Sequence, residues 1–167
     1  MRFLMVDIGA GTMDVLWYDT EADLHYKAVV KSPVRTIAEQ AAAIQGNLIV
    51  TGCEMGGGPI TGLLKQRAVT DKIVMTSAAA ATLHHDPEMV TSWGITIVDD
   101  HQAENFQRDK TYQSLILEDL EAQRMQRIVE GFGVPFEFDA VVLCAQDHGV
   151  PPPGQSHLDF RHNMFTK

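Results

Sequence analysis

Cysteine is nearly missing from this chain: 167 residues hold two, Cys53 and Cys144, far apart in sequence. Two distant thiols make neither a disulfide framework nor a zinc pattern, and they fit a reducing cytoplasm. Each closes an apolar run, where a cysteine is expected as a small buried side chain. Positive charge is sparse as well. Lys and Arg number 13 against 22 Asp and Glu, a formal net charge of -9, and no basic cluster stands out. Such a chain repels a phosphate backbone at long range, which argues against nucleic acid as partner. No apolar segment approaches the ~20 residues needed to span a bilayer. The opening MRFLMVDIGAG has one basic residue and an aspartate inside its apolar run, unlike a signal peptide. The expectation is a cytoplasmic protein with no membrane partner. Internal repeats and linkers are absent too. Seven histidines include the fragments His84-His85-Asp86 and Asp99-Asp100-His101, but neither offers the i, i+4 pair of a zincin helix.

What is present is a 45% apolar composition, enough for one domain with a sizeable core. Residues 3–9, FLMVDIG, read as a buried central strand, with 14–19 and 24–32 completing an antiparallel meander. Pro33 then opens an alanine-rich helix that runs to Gly46. From NLIVTG (47–52) the chain alternates, with strands at 71–76 and 94–100, helices between them, and a last strand over 138–149. The stretch from Asp109 to Gly133 carries Leu115, Leu117, Leu120, Met125, Ile128 and Val129 at roughly helical spacing, and predicts one long amphipathic helix with a glycine end. After the PPPGQS loop, HLDFRHNMFTK reads as the start of a further helix. A meander followed by helix–strand alternation predicts an α/β fold with a mixed sheet, in the order of a ribonuclease-H-like lobe. The expected organisation is one lobe over residues 1–167, with a helical insertion at about 76–130.

Three polar loops carry the candidate chemistry. In DIGAGT, Gly9 and Gly11 can adopt positive φ and turn backbone N–H groups toward an anion. Thr12 adds a hydroxyl, and Asp7 stands where a hydrated Mg²⁺ would sit beside a polyphosphate. A tight hairpin serving only the turn is the plainer explanation. In GCEMGGGP, the glycines Gly56, Gly57 and Gly58 lie between a strand and a helix, an arrangement that favours anions, although close helix-on-sheet packing would explain them equally. It is neither a Walker A motif nor GxGxxG. In QDHG, Asp147 or His148 could orient water or act as a base, or could simply form a polar turn. Glu54, inside the second loop, is a further carboxylate with the same ambiguity.

MVDIGAGTMDVLWYD resembles the first phosphate-binding hairpin of the actin, sugar-kinase and heat-shock chaperone (ASKHA) ATPase superfamily, and FDAVVLCAQDHG is similar to the strand closing the first lobe there. The resemblance implies an Mg-ATP-binding lobe of an ATPase or phosphotransferase. ATP and Mg²⁺ would be its cofactors, with Asp7 holding Mg²⁺ through water and Gly9, Gly11 and Thr12 cradling phosphate. Asp147 or Glu54 would align the nucleophile. A second hairpin and an adenosine motif of that superfamily are not found in these 167 residues. The expected partners are therefore a nucleotide and a missing C-terminal lobe, with self-association left open. More narrowly, DIGAGTMD, VTGCEMGGGPITG and VVLCAQDHGVPPPGQS resemble a prokaryotic family labelled pyruvate-formate-lyase-activating-enzyme-like. Radical chemistry of that kind needs three neighbouring cysteines for an iron–sulfur cluster, and two distant ones do not supply it. A non-catalytic binding or assembly module is the main alternative. A metal-dependent nuclease using Asp7, Asp147 and Glu54 is disfavoured by the negative charge.

Overall fold

Alternation governs the first strands. In the computed structural model, which describes residues 1–56, 58–145, 151–152 and 155–165, β1 (Arg2–Ile8) buries Leu4, Val6 and Ile8 and leaves Asp7 exposed. β2 (Thr12–Asp19) does the same with Met13, Val15 and Trp17, so the two strands offer one continuous apolar face. β3 (Leu24–Lys31) completes the antiparallel meander, and β8 (Ala140–Ala145) lies parallel to β1 from Phe3↔Ala140 to Ile8↔Ala145. The resulting mixed sheet has the order β3-β2-β1-β8. Its buried face packs on Met125 and Val129 of α6 (Ala122–Gly131), spaced i, i+4 on one side of that helix. The α/β class and the three-strand meander are as anticipated.

The alternating elements build a sheet of their own. β4 (Asn47–Cys53), β5 (Ile73–Thr76), β6 (Thr96–Val98) and β7 (Tyr112–Glu118) are all parallel, in the order β6-β5-β4-β7. Both faces are covered, as a parallel sheet requires. Leu48, Val50, Met75, Leu115 and Leu117 pack on α1 (Pro33–Ala43), α2 (Pro59–Arg67), α3 (Ser77–Leu83) and α4 (Pro87–Ser92). Ile49, Val74 and Val98 pack on Ala103 and Phe106 of α5 (Asp100–Arg108) on the opposite face. Each fully buried aliphatic side chain contributes about 1.5–3 kcal/mol of transfer free energy. The chain runs outward from β4 to β6 and then crosses back to place β7 on β4's other side, so the strand order reverses between β4 and β7.

The single helix expected over 109–133 is instead a strand followed by a helix. Within β7 only Leu115 and Leu117 are buried while Ser114, Ile116 and Glu118 are exposed, which is a period of two. The helical period begins at α6, where Met125 and Val129 are buried. Taken together, the two halves mimic one helical stripe. Gly133, at φ 80°, does end α6 as anticipated, its N–H donating to the Glu130 carbonyl at 2.9 Å. Both cysteines, expected buried, are exposed: Cys53 ends β4 and Cys144 lies on β8, which among the described residues has no neighbour beyond it in its sheet. The final segment forms α7 (His157–Phe165).

Candidate functional site at the carboxyl ends of β4 and β7

Open α/β sheets bind ligands outside the carboxyl ends of their strands, where the order reverses. Here that point is the β4–β7 junction, and it is sharply built. Gly52 pairs with Leu117 at φ 77°, and any Cβ there would collide with the Leu117 carbonyl. One residue later Cys53 pairs with Glu118, so the next residues on each strand, Glu54 and Asp119, leave the sheet side by side.

Glu54 is 7% exposed, and neither Oε1 nor Oε2 has a hydrogen-bond partner. Its backbone is pinned: the N–H donates to Thr82 Oγ1 at 3.3 Å, and that hydroxyl returns a bond to the Glu54 carbonyl at 3.4 Å. Burial, and then the charge of Asp119, push the Glu54 carboxyl up to about 7. Asp119 is half-buried, and its Oδ1 is also unpartnered. Burial raises its pKa, and a bond from the Met55 N–H partly offsets that. A carboxyl titrating near neutrality can give or take a proton at working pH, which suits general acid–base chemistry.

From β4 the chain enters the glycine loop. Gly56, at φ 92°, runs so close to the Thr82 carbonyl that a Cβ would lie 2.8 Å from it. Gly58, at φ 59°, stands at the N-cap of α2 with no side-chain cap, and Pro59 opens the helix. Thr61, two residues further into α2, has a buried and unpartnered hydroxyl. Asp119 also lines a cleft of about 480 Å³ between α1, β7 and α6, with Gln40, Glu118, Glu121 and Arg124 among its walls. Arg124 is engaged there, donating to Thr36 Oγ1 at 3.2 Å and to the Lys31 carbonyl.

Of the residues anticipated from sequence, Glu54, Gly56 and Gly58 come together at this edge with Asp119, which sequence reasoning missed. Asp119 is hidden in sequence because EDLE reads as helix interior. Asp7, Gly9, Gly11 and Thr12 form the β1–β2 turn on the other sheet. Neither Gly9 nor Gly11 has positive φ, contrary to expectation, and the Gly9 N–H closes the turn on the Thr12 carbonyl at 2.9 Å. Gly11 accepts a bond from the Ser32 N–H at 3.2 Å, and the charge of Asp7 beside the Cys144 thiol pushes that thiol's pKa up. Gly57, Asp147 and His148 lie outside the described residues. His84 and Asp86 serve α4: Asp86 caps the helix through the Glu88 N–H at 2.9 Å, and His84 Nδ1 accepts the Asp86 N–H at 3.0 Å. Asp99 forms a capping box with Gln102 at the start of α5.

Fold and edge together define an α/β protein with a parallel, doubly covered sheet whose reversal point carries a glycine loop and two carboxylates with unpartnered oxygens. The chain belongs to the family described as "Putative pyruvate format-lyase activating enzyme (DUF1786)", whose model matches residues 55–167, a span that includes Asp119 and leaves out the Asp7–Thr12 hairpin. No curated protein and no solved structure matches the chain. An iron–sulfur cluster of the kind that description implies does not fit the donor set: two cysteines stand on different sheets, and among the described residues no three His, Cys, Asp or Glu side chains converge. Among the described residues no helix is long and apolar enough to cross a membrane.

Proposed function

We propose that this chain binds the phosphates of a nucleotide, Mg-ATP, at the carboxyl edge of the parallel sheet, as the phosphate-binding lobe of an ATPase or phosphotransferase. The observation that carries the proposal is the turn from β4 into α2. Positive-φ glycines bring bare backbone to the reversal point, α2 begins without a side-chain cap, and the Thr61 hydroxyl has no partner. Free N–H groups at a helix start favour an anion, and phosphoryl transfer asks mainly for positioned amides, a metal and a proton acceptor. Glu54 is the acceptor this edge offers, and the superfamily resemblance adds Asp7 with Gly9, Gly11 and Thr12 as a second phosphate limb and metal anchor. A second lobe completing the cleft is the partner this role calls for.

Calorimetry with Mg-ATP tests it. Wild type should bind, Thr61→Ala should weaken binding about tenfold, equivalent to ~1.4 kcal/mol, and Asp7→Ala should abolish it if the hairpin anchors the metal. Silence of the wild type toward Mg-ATP and pyrophosphate alike would remove the nucleotide, while equal affinity of wild type and Asp7→Ala would remove only the hairpin. A second role, as an assembly module, is favoured by β8, where Val141, Val142 and Leu143 are each half-exposed. A defined partner in pull-down, with no phosphate release, would support it.

A further inference from the structure

Most conspicuous groups in the molecule serve the fold, since the paired histidines sit beside the α4 cap, Asp99 caps α5, and Arg67 bridges helix ends. Glu54 serves no such purpose. A residue only 7% exposed, with both carboxyl oxygens unpartnered, is costly to leave in a core. Its neighbour deepens the problem, since Asp119 brings a second carboxylate with a buried, unpartnered Oδ1.

We infer that Glu54 and Asp119 form the protein side of a divalent-cation site, of the hard, oxygen-liganded kind that Mg²⁺ or Mn²⁺ occupies, reached from the cleft that Asp119 lines. Three observations converge on it. The β4–β7 register fixes the two carboxylates as consecutive exits from neighbouring parallel strands, so their adjacency is set by backbone. Each is anchored from behind, Glu54 through the Thr82 hydroxyl and Asp119 through the Met55 N–H, leaving Glu54 Oε1, Glu54 Oε2 and Asp119 Oδ1 for a ligand. The nearby cation on the cleft wall, Arg124, is committed to Thr36 and Lys31. A cation would compensate the buried Glu54 and the half-buried Asp119 at once, which two like charges cannot do for each other.

The donor set selects the metal class. Carboxylate oxygens without imidazole or thiolate suit Mg²⁺ and Mn²⁺ rather than zinc or copper. Mg²⁺ is commonly held by one or two carboxylates and keeps several waters, so a pair with Asp119 on the wall of a 480 Å³ cleft and Glu54 behind it is sufficient protein ligation. The site shares Glu54 with the nucleotide proposal but is tested separately, because the metal alone is its probe.

The test uses the full chain stripped with EDTA and titrated with Mn²⁺, following free Mn²⁺ by electron paramagnetic resonance. One saturable Mn²⁺ per chain, displaced by excess Mg²⁺, is expected. Glu54→Gln and Asp119→Asn should each weaken it by about tenfold or more, while Glu104→Gln, exposed on α5, should leave it unchanged. Both amide variants remove buried charge and keep shape, and a thermal melt verifies that they fold. Absence of saturable binding overturns the site, and so does binding that both amide variants retain. Pyrophosphate binding measured without metal scores the nucleotide reading separately.

Discussion

Glu54 makes stability depend on pH in an unusual direction. Its carboxyl is pushed from an ordinary 4.5 to about 7 in the folded chain. A carboxyl raised on folding keeps its proton in the native state after the unfolded chain has released it, so its stabilising contribution is present at low pH and is lost as pH rises through 7. The full span of that shift is about 3 kcal/mol, and about 2 kcal/mol of it falls between pH 5.5 and pH 8. Asp119 shifts upward as well, so its contribution has the same sign. The assay is urea unfolding of metal-free protein at pH 5.5, 6.5, 7.5 and 8, in wild type and in Glu54→Gln. Histidines and other groups titrate in both, so the difference between the two curves isolates the carboxyl. That difference should grow by about 2 kcal/mol toward alkaline pH, with the variant the more stable at pH 8, a gap of roughly 4–8 °C in melting temperature for a domain this size. Parallel curves would refute the reasoning, because they would mean that Glu54 finds a partner or water in solution.

Gly52→Ala should destabilise the fold by about 3 kcal/mol or more, since it forces positive φ and a clash with the Leu117 carbonyl. By contrast Gly62→Ala, inside α2 where a Cβ meets nothing, should stabilise by roughly 0.5–1 kcal/mol, both read by chemical denaturation. Arg67→Ala should cost about 2 kcal/mol, because the largely buried guanidinium donates to the Ala41 carbonyl at 2.7 Å and to Asp71 at 2.9 Å, tying the end of α1 to α2. In a Cys53→Ser background, Asp7→Asn should lower the Cys144 thiol pKa and speed its alkylation at pH 8; an unchanged rate would show that the two side chains do not meet.

The meander is readable because its strands are separated by turn residues and alternate cleanly, as Met13, Val15 and Trp17 do. Glu54 and the Gly56–Gly58 loop are readable for a similar reason, since glycine clusters between a strand and a helix have few purposes. The separate parallel sheet is not, because which strands pair is decided by long-range contacts that leave no local trace. Asp119 escapes notice on that account: its role comes from the β4–β7 register, and its own neighbourhood, EDLE, reads as a charged helix. Cys53 and Cys144 mislead because an apolar run does not guarantee burial, and Cys144 rides on the strand that ends its sheet among the described residues. The hairpin glycines show the limit of motif reading: DIGAGT closes its turn without positive φ at either glycine.

The two sheets also differ in the order in which they can be completed. Every pairing of β4 to β7 lies between residues 47 and 118, whereas β1 waits for β8, as the bond from the Arg2 amide to Asp139 across 137 positions makes plain. On a ribosome the parallel sheet can therefore mature while the opening meander still lacks β8, so the β1–β8 pairing is the last of these pairings to become available.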